Sequence, residues 1–352
     1  MTASEQLLSA FSQMYFFEEL VQDNLQFSDQ KGNSIELADL ILNLGDTVVA
    51  IQIKERTEAY QTNDGAAEMK WFNKKMYSAK KQVKNTIESI RSGNIPPFRN
   101  KRGIETLIRA DAKVIPLVVF MNDAIAEYPR VLEKHSEDGL TVNCMSLHDF
   151  QEMCNKLISP AEIIDYLNYR CSFYESNGPV NILITDVSET DLLITRPTAN
   201  EALVSQFLLE KYGIGELKRG PKQFELFRWF IQQTAIRSTV GRDDPATYAI
   251  LLFLAHFHRD EIRAFWDRLI FARDKAQCHD YDITGSLRRE NEYAIFFVAA
   301  PPMQALPMEY LLEKARKKCD PKVLLQVYVW WEDEENYRID YLLLDREEKK
   351  EG

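Results

Sequence analysis

The chain has 352 residues, of which 45% are hydrophobic and 28% charged, and its formal net charge is −11. This is the composition of a soluble globular protein that is long enough for two domains, and no apolar run approaches the length needed to cross a membrane. The five cysteines form no CxxC pair and the N-terminus has no basic start followed by an apolar core, so we expect reduced thiols and a cytoplasmic location.

The first predicted element is an amphipathic helix over residues 4–23. Its apolar residues recur at helical spacing, and they are Leu7, Leu8, Phe11, Tyr15 and Val21. Glu18 lies near the same face. A short strand and a turn are expected within residues 24–34.

Residues 36–54 predict two short antiparallel strands that are joined by a turn containing Gly and Asp. Side chains alternate between the two faces of a strand, so Gln52 and Lys54 share one face of the second strand. If the strands pair about this turn, Asp39 lies at the same polar end. A carboxylate, an amide oxygen and an ammonium group are therefore expected at one edge of a hydrophobic sheet.

These groups suit a hard divalent cation such as Mg²⁺, which binds carboxylates, other oxygen ligands and substrate phosphate. Asp39 would anchor the cation, and the side-chain oxygen of Gln52 and the backbone carbonyl of Ile53 would complete the protein ligands. Lys54 would orient or activate the attacking water and offset charge on the phosphate. The alternative is an ordinary surface strand whose Gln and Lys simply reach solvent.

A long helix over residues 66–92 is expected to bind phosphate groups. By three- and four-residue steps, one face carries Lys70, Lys74, Lys81 and Lys84. Between Lys54 and Lys113 there are fourteen Lys or Arg against seven Asp or Glu, a balance of +7, so the rest of the chain carries −18. A basic region in an otherwise acidic protein is typical of nucleic-acid binding, and the alternative is a solvated Lys-rich helix.

The remaining elements predict two domains, residues 1–160 and 161–352. The first continues with strands at 113–121 and 140–145 and a helix at 147–157, which gives an α-β-β-β-α-β order. The second is expected to be α+β. Its predicted elements are a hairpin at 181–196, helices at 199–212, 222–238 and 245–273, a strand at 292–299, a helix at 308–318 and a hairpin at 323–344.

The order of these elements and the residues Asp39 and Gln52-Ile53-Lys54 resemble the PD-(D/E)xK, or restriction-endonuclease-like, nuclease superfamily. Asp39 matches the first acid of its motif, and Gln52 to Lys54 match the Q-x-K form found in Mrr-like members. The family also carries a glutamate on the preceding helix, and Glu18 fits that position, with Glu19 as the second choice. The resemblance covers residues 5–150, and Gln52 departs from the usual acid.

The resemblance implies a restriction-endonuclease-like core and a Mg²⁺- or Mn²⁺-dependent endonuclease. Asp39, Gln52 and Lys54 would then be catalytic, with Glu18 assisting the metal or its water, and double-stranded DNA is the expected partner. Restriction or defence against phage DNA is the expected role, although RNA stays open as a substrate. The alternative is an inactive nuclease-fold module that binds nucleic acid or protein, and the C-terminal domain would recognise a target, bind a regulator or form a homo-oligomer.

Overall fold

The computed structural model of the chain describes residues 3–28, 34–57, 60–62, 64–122, 132–134, 139–177, 199–213, 245–289, 292–302 and 304–346. Within these residues the protein has a mixed α/β fold. The chain divides into two compact units, Met1–Gly220 and Pro221–Gly352. Each unit has its own sheet and is described by itself.

A six-stranded mixed sheet forms the centre of the first unit. Its strands are β1 (Val21–Asp23), β4 (Leu40–Asn43), β5 (Thr47–Glu55), β8 (Lys113–Met121), β9 (Leu132–Lys134) and β10 (Thr141–Ser146), in the spatial order β1-β4-β5-β8-β10-β9. Strands β5, β8 and β10 are parallel, and β4 is antiparallel to β5. Two small ribbons are separate from this sheet, namely β2 (Gln26–Ser28) with β3 (Ser34–Glu36) and β6 (Phe98–Arg99) with β7 (Glu105–Thr106).

The β4–β5 hairpin fixes the register on which the candidate site depends. Its turn contains Gly45 at a φ of 82°, a left-handed conformation that glycine adopts without steric cost. Leu40, the first residue of β4, lies opposite Ile51. Strand β5 therefore continues for several residues beyond the start of β4, and its last residues have no β4 backbone partner on that side.

One face of this sheet is covered by helix α2 (Gly65–Arg91), which connects β5 to β8. Asp64 caps the helix because its side chain accepts a hydrogen bond from the N–H of Ala66 at 2.9 Å. The buried stripe of α2 packs on alternate residues of the sheet, and this cluster contains Phe72, Met76, Ala79, Val83, Ile87, Val118, Phe120, Val142 and Cys144. Gln52 pairs with Val118 and Lys54 with Phe120, so Gln52 and Lys54 point to the α2 side.

The other face is covered by helices α1 (Ala3–Tyr15), α3 (Leu147–Lys156) and α4 (Pro160–Asn177), and α5 (Ala199–Tyr212) packs against α3 and α4. The buried guanidinium of Arg170 on α4 donates to the carbonyl of Cys144 at 3.1 Å and lies against the sulfur of Met145. Because helices bury both faces, the central strand β8 is almost continuously apolar in sequence.

The second unit contains a four-stranded sheet in the order β11 (Asp282–Arg289), β12 (Tyr293–Ala299), β13 (Val323–Trp331) and β14 (Tyr337–Asp345). Its described helices are α6 (Pro245–Ala255), α7 (Arg259–Gln277) and α8 (Met308–Arg316). Helix α8 packs against Phe296 in a cluster on one face of β12. Helix α7 packs on the other face, where the rings of Phe265 and Phe297 meet edge to face at 5.0 Å.

Several predicted boundaries differ from the structure. Helix α1 ends at Tyr15, and a 3-10 turn at Glu18–Leu20 and strand β1 occupy the rest of the predicted helix. Leu20 and Val21 are fully buried, and Val21 pairs with Leu42 of β4, a pairing that helical spacing alone does not reveal. The predicted helix at 245–273 is divided into α6 and α7, and strand β11 was not predicted.

The predicted domain boundary at residue 160 also differs from the division of the structure. Helix α4, which was not predicted, and helix α5, which was predicted for the second domain, belong to the first unit because they pack on β10, β8 and α3. The predicted strands of the hairpin at 181–196 and the predicted helix at 222–238 lie outside the described residues. The strands predicted at 113–121 and 140–145 and the helices predicted at 66–92 and 147–157 are confirmed to within one residue at each end.

Candidate metal centre and active site

Asp39 lies just before β4, and its side chain bonds to the part of β5 that β4 does not reach. Its Oδ2 atom accepts a hydrogen bond from the backbone N–H of Ile53 at 2.5 Å. Pairing between β4 and β5 starts at Leu40 and Ile51, so Ile53 has no β4 residue opposite it. The Asp39 side chain accepts the hydrogen bond that a backbone carbonyl of a paired strand would otherwise accept. This bond fixes the carboxylate against the carboxyl-terminal part of β5.

Lys54 extends back across the end of its own strand to the same place. Its Nζ atom donates to the backbone carbonyl of Ile53 at 3.0 Å and to Oε1 of Gln52 at 3.2 Å, and it lies 3.7 Å from Oδ2 of Asp39. The side chains of Lys54 and Asp39 are 11% and 14% exposed, and Gln52 is buried. The structure thus brings together Asp39, Gln52, Ile53 and Lys54, as the alternation in the sequence predicted.

The electrostatics of this pair differ from those of a surface ion pair. Burial raises the pKa of Asp39 above its ordinary value, even though the Ile53 N–H and the Lys54 charge act in the opposite direction. Burial lowers the pKa of Lys54, and the positive charge of Lys75 lowers it further. Both charged forms are therefore less favourable here than in water, as expected for groups that exchange protons or bind a ligand charge.

Two acidic residues that sequence reasoning did not select lie within electrostatic range of Asp39. Glu5 lies in the first turn of α1, and its charge raises the pKa of Asp39. Glu36 ends β3, and the pKa of Glu36 is raised by partial burial and then by Asp39 and Glu5. Glu36 could have been selected from the sequence because it is only three residues before Asp39. No local sequence feature distinguishes Glu5 from the other carboxylates on helices.

Glu18, the predicted helix glutamate, is placed elsewhere. It lies in the 3-10 turn before β1, where its Oε1 accepts from Nε of Arg102 at 3.2 Å. The N–H of Asn24 donates to the carbonyl of Asp39, so Asn24 is the residue beside Asp39. Glu18 is six residues before Asn24 in the chain. Its neighbour Glu19 is buried and forms an ion pair with Arg102 at 2.5 Å. The structure therefore does not bring Glu18 or Glu19 to the Asp39 carboxylate.

The lysines of α2 lie on two different sides of the helix. Lys70, Lys74, Lys81 and Lys84 are on the side away from the sheet, opposite the buried stripe, and the first three are exposed. Lys75 lies instead on the flank of α2, close enough for its charge to act on Lys54. Gln82, seven residues later, shares that flank.

A second buried carboxylate near the end of β5 has a complete set of partners. Glu68, in the first turn of α2, accepts from the N–H of Thr62 and from Asn122 at 2.8 Å each, and it pairs with Nε of Arg56 at 2.6 Å. Burial alone would raise the pKa of Glu68, but these hydrogen bonds together lower it. Glu68 therefore joins the ends of β5 and β8 to the start of α2 as a structural group.

The donor set at Asp39 fits a hard cation in kind. A carboxylate oxygen, an amide oxygen and a backbone carbonyl converge at one place, and Mg²⁺ and Mn²⁺ bind such oxygens. Among the described residues, no group of three or more His, Cys, Asp or Glu side chains could hold a metal ion. The set thus depends on the Gln52 amide and the Ile53 backbone for two of its three oxygens.

Comparison with protein-family models, with curated proteins and with solved structures finds no match to this chain. None of the helices in the described ranges is both long enough and apolar enough to cross a membrane. These comparisons therefore assign no chemistry to the residues around Asp39.

Proposed function

We propose that the protein is a metal-dependent nuclease that hydrolyses phosphodiester bonds of nucleic acid, with double-stranded DNA as the expected substrate. The observation that carries the proposal is the convergence of Asp39 Oδ2, Gln52 Oε1 and Ile53 O around the ammonium of Lys54. Along the chain, helix α1 precedes the β4–β5 hairpin, and helix α2 and strand β8 come after it, which is the order expected for the restriction-endonuclease-like core that the sequence resembles.

Each residue has a specific task in this proposal. Asp39, Gln52 and the carbonyl of Ile53 would hold Mg²⁺ or Mn²⁺, which when bound supplies Lewis-acid polarisation of the phosphate and a more acidic water. Lys54 holds a proton at Nζ beside these oxygens, so it can orient the attacking water and offset negative charge on the phosphate. Its lowered pKa favours proton transfer at this position.

The cleavage test uses supercoiled plasmid with Mg²⁺ or Mn²⁺ and the variants Asp39→Ala and Lys54→Ala. We expect the wild-type chain to nick the plasmid only with metal, and both variants to lose this activity. Asp165→Ala and Lys211→Ala are matched controls, since that acid–lysine pair is exposed and joins α4 to α5. Cleavage that survives in either site variant would refute the assignment of that residue.

Nucleic-acid binding by α2 is tested separately from cleavage. If the outer lysines contact phosphates, replacing Lys70, Lys74, Lys81 and Lys84 by Gln should make affinity less dependent on salt. Each lost contact lowers the slope of log K against log salt by about 0.9. Lys75→Gln is the comparison, since Lys75 lies on the other flank. An unchanged slope in the fourfold variant would mean that DNA does not lie along the outer side of α2.

A second candidate function is a catalytically inactive module on the same fold, which binds nucleic acid or a protein partner. It is favoured by one observation, namely that Gln52 provides no charge where an acid is usual, so that among the described residues Asp39 is the carboxylate that pairs with Lys54. Binding without cleavage in every metal would support it. Cleavage by Gln52→Glu but not by the wild type would show that the missing negative charge at position 52 is the cause of the inactivity.

The remaining assignments are also proposals. The cytoplasm is the expected compartment, since the five cysteines form no CxxC pair in the sequence. Restriction or defence against phage DNA is the expected role. The second unit is proposed to recognise a target, bind a regulator or form a homo-oligomer.

A further inference from the structure

The ammonium of Lys54 lies where the metal ligands converge. Its Nζ atom is 3.0 Å from Ile53 O, 3.2 Å from Gln52 Oε1 and 3.7 Å from Asp39 Oδ2. These are the same three oxygens that make up the protein side of the proposed cation site. A lysine ammonium is a compact positive charge with three donors, so it satisfies three converging oxygens in the way that a small cation does.

The strand geometry explains why the lysine reaches this place. The N–H and C=O of one β residue point to the same side of the strand, so the Ile53 carbonyl points to the side on which Asp39 bonds to the Ile53 N–H. Gln52 and Lys54 lie two apart on one face, and both side chains turn toward that carbonyl. The site is therefore filled by a residue of its own strand.

A lysine ammonium and a divalent cation cannot share these oxygens. At a separation of about 3–4 Å in a mostly buried site, the two positive charges would repel each other strongly. If the cation binds there, Nζ has to leave the oxygens.

We infer that Lys54 is an internal counter-ion that competes with the divalent cation for Asp39, Gln52 and the Ile53 carbonyl, and that cation binding displaces its ammonium. This inference rests on the proposed metal site and adds regulation to it. In the absence of metal the buried carboxylate stays neutralised and the fold stays intact. With a cation at these oxygens, the released Lys54 ammonium would contact the substrate phosphate or its attacking water, so Lys54 would be positioned for catalysis only in the cation-bound protein.

The experiment measures Mn²⁺ binding to the full chain by isothermal titration calorimetry, without nucleic acid. Lys54→Met keeps the length of the side chain and removes the competing charge, so we expect Mn²⁺ to bind roughly tenfold or more tightly than to the wild type. Lys75→Met is the matched control. It removes a nearby charge that does not touch the three oxygens, and we expect less than about a threefold change. Adding Asp39→Asn to Lys54→Met should abolish the gain.

Footprinting of the wild-type chain with an amine-reactive reagent gives a second readout that needs no variant. Lys54 should be modified slowly without metal and faster when Mn²⁺ is added, whereas modification of the exposed Lys75 should stay the same. A Lys54 rate that does not respond to bound Mn²⁺ would overturn the displacement.

The possible outcomes separate the inference from the proposed function. If the wild type binds Mn²⁺ and Lys54→Met binds it equally or more weakly, the counter-ion role is refuted and the metal-dependent nuclease stands. If neither protein binds Mn²⁺ at millimolar concentration, the metal site fails and both proposals fall together. Tighter binding by Lys54→Met, with loss of the gain in the Asp39 double variant, supports both.

Discussion

Glu68 and Asp39 are two carboxylates beside the carboxyl end of β5, and their surroundings differ in kind. Glu68 is 1% exposed and is bonded to a backbone N–H, an amide and a guanidinium, which together lower its pKa. Asp39 has one backbone N–H and a lysine at 3.7 Å, and its pKa is raised. A carboxylate with a full set of partners stabilises the fold, whereas one with few partners keeps oxygens available for a ligand.

The same contrast separates their positive partners. Arg56 pairs with Glu68 at 2.6 Å and lies over the ring of Trp71, so packing on several sides fixes its guanidinium. Lys54 is a flexible chain whose ammonium bonds to oxygens of its own strand and can leave by rotation. The planar, always charged arginine suits a permanent link, and the lysine suits an exchangeable one.

Asp39→Asn should have the largest effect, and it acts on activity. The Asn carbonyl can still accept the hydrogen bond from Ile53, and the Lys54 ammonium, unlike the fixed guanidinium of Arg56, can leave the site by rotation. We therefore expect the thermal midpoint to change little. The charge that holds the cation is lost, so metal-dependent plasmid cleavage should fall on the order of 10²-fold or more. A variant that loses thermal stability in proportion to activity would contradict the contrast, because Asp39 would then be structural like Glu68.

Glu68→Gln should have the opposite profile. It leaves the buried Arg56 without its counter-charge, which is a strongly destabilising change. We expect the thermal midpoint of the first unit to fall by on the order of several degrees, as followed by differential scanning calorimetry. Mn²⁺ affinity of the folded fraction should be unchanged, since Glu68 is not among the oxygens around Lys54. Loss of metal binding without loss of stability would reverse the assignments of the two carboxylates.

The stabilising role of Glu68 should depend on pH in a defined direction. Its folded-state pKa lies below the ordinary value of 4.5, so its contribution is present above pH 4.5 and is lost as the pH falls through the folded-state pKa. The difference in thermal midpoint between the wild type and Glu68→Gln should therefore be full at pH 7 and become smaller below pH 4.5. A difference that grows on acidification would contradict the lowered pKa.

Glu5→Gln and Glu18→Gln test which glutamate supports Asp39, and they should give the smallest effects. Glu5 is close enough to raise the pKa of Asp39, so its loss should change the metal-dependent cleavage rate by roughly three- to tenfold. The Glu18 side chain is 49% exposed and pairs with Arg102, which also pairs with the buried Glu19, so Glu18→Gln should change cleavage less than about twofold. Cleavage assays on matched protein preparations distinguish the two, and a larger effect at Glu18 would restore the sequence-based choice.

Much of the first sheet could be predicted from the sequence because its signals are local. Alternation along residues 36–54 places Gln52 and Lys54 on one face, and the Gly-containing turn at Gly45 fixes the hairpin register. The strand β8 is a continuous apolar run and helix α2 shows a clear 3.6-residue period, so both were predicted to within one residue. Convergence of Asp39 with Lys54 follows from these local rules, since only a short turn separates the two strands.

Local signals failed where two conformations fit the same pattern. Phe16, Leu20 and Val21 continue the apolar spacing of α1, yet the chain leaves the helix after Tyr15 because Val21 pairs with Leu42 of β4. That pairing depends on the position of a strand about twenty residues away along the chain. The helical periodicity of the apolar residues carries no information about that strand. Because the helix ends before Glu18, this residue does not lie on the helix face where it was predicted.

The sequence by itself determined that β4 and β5 pair and which polar residues share the end of β5, because strand periodicity and turn chemistry act over a few residues. Only the tertiary structure decided that Glu5 rather than Glu18 lies near Asp39 and that Lys75 rather than the outer lysines flanks Lys54. It also decided that the Lys54 ammonium lies where the three oxygens converge. These outcomes depend on how helices pack on the sheet, and packing is set by the burial of many side chains together rather than by any single motif.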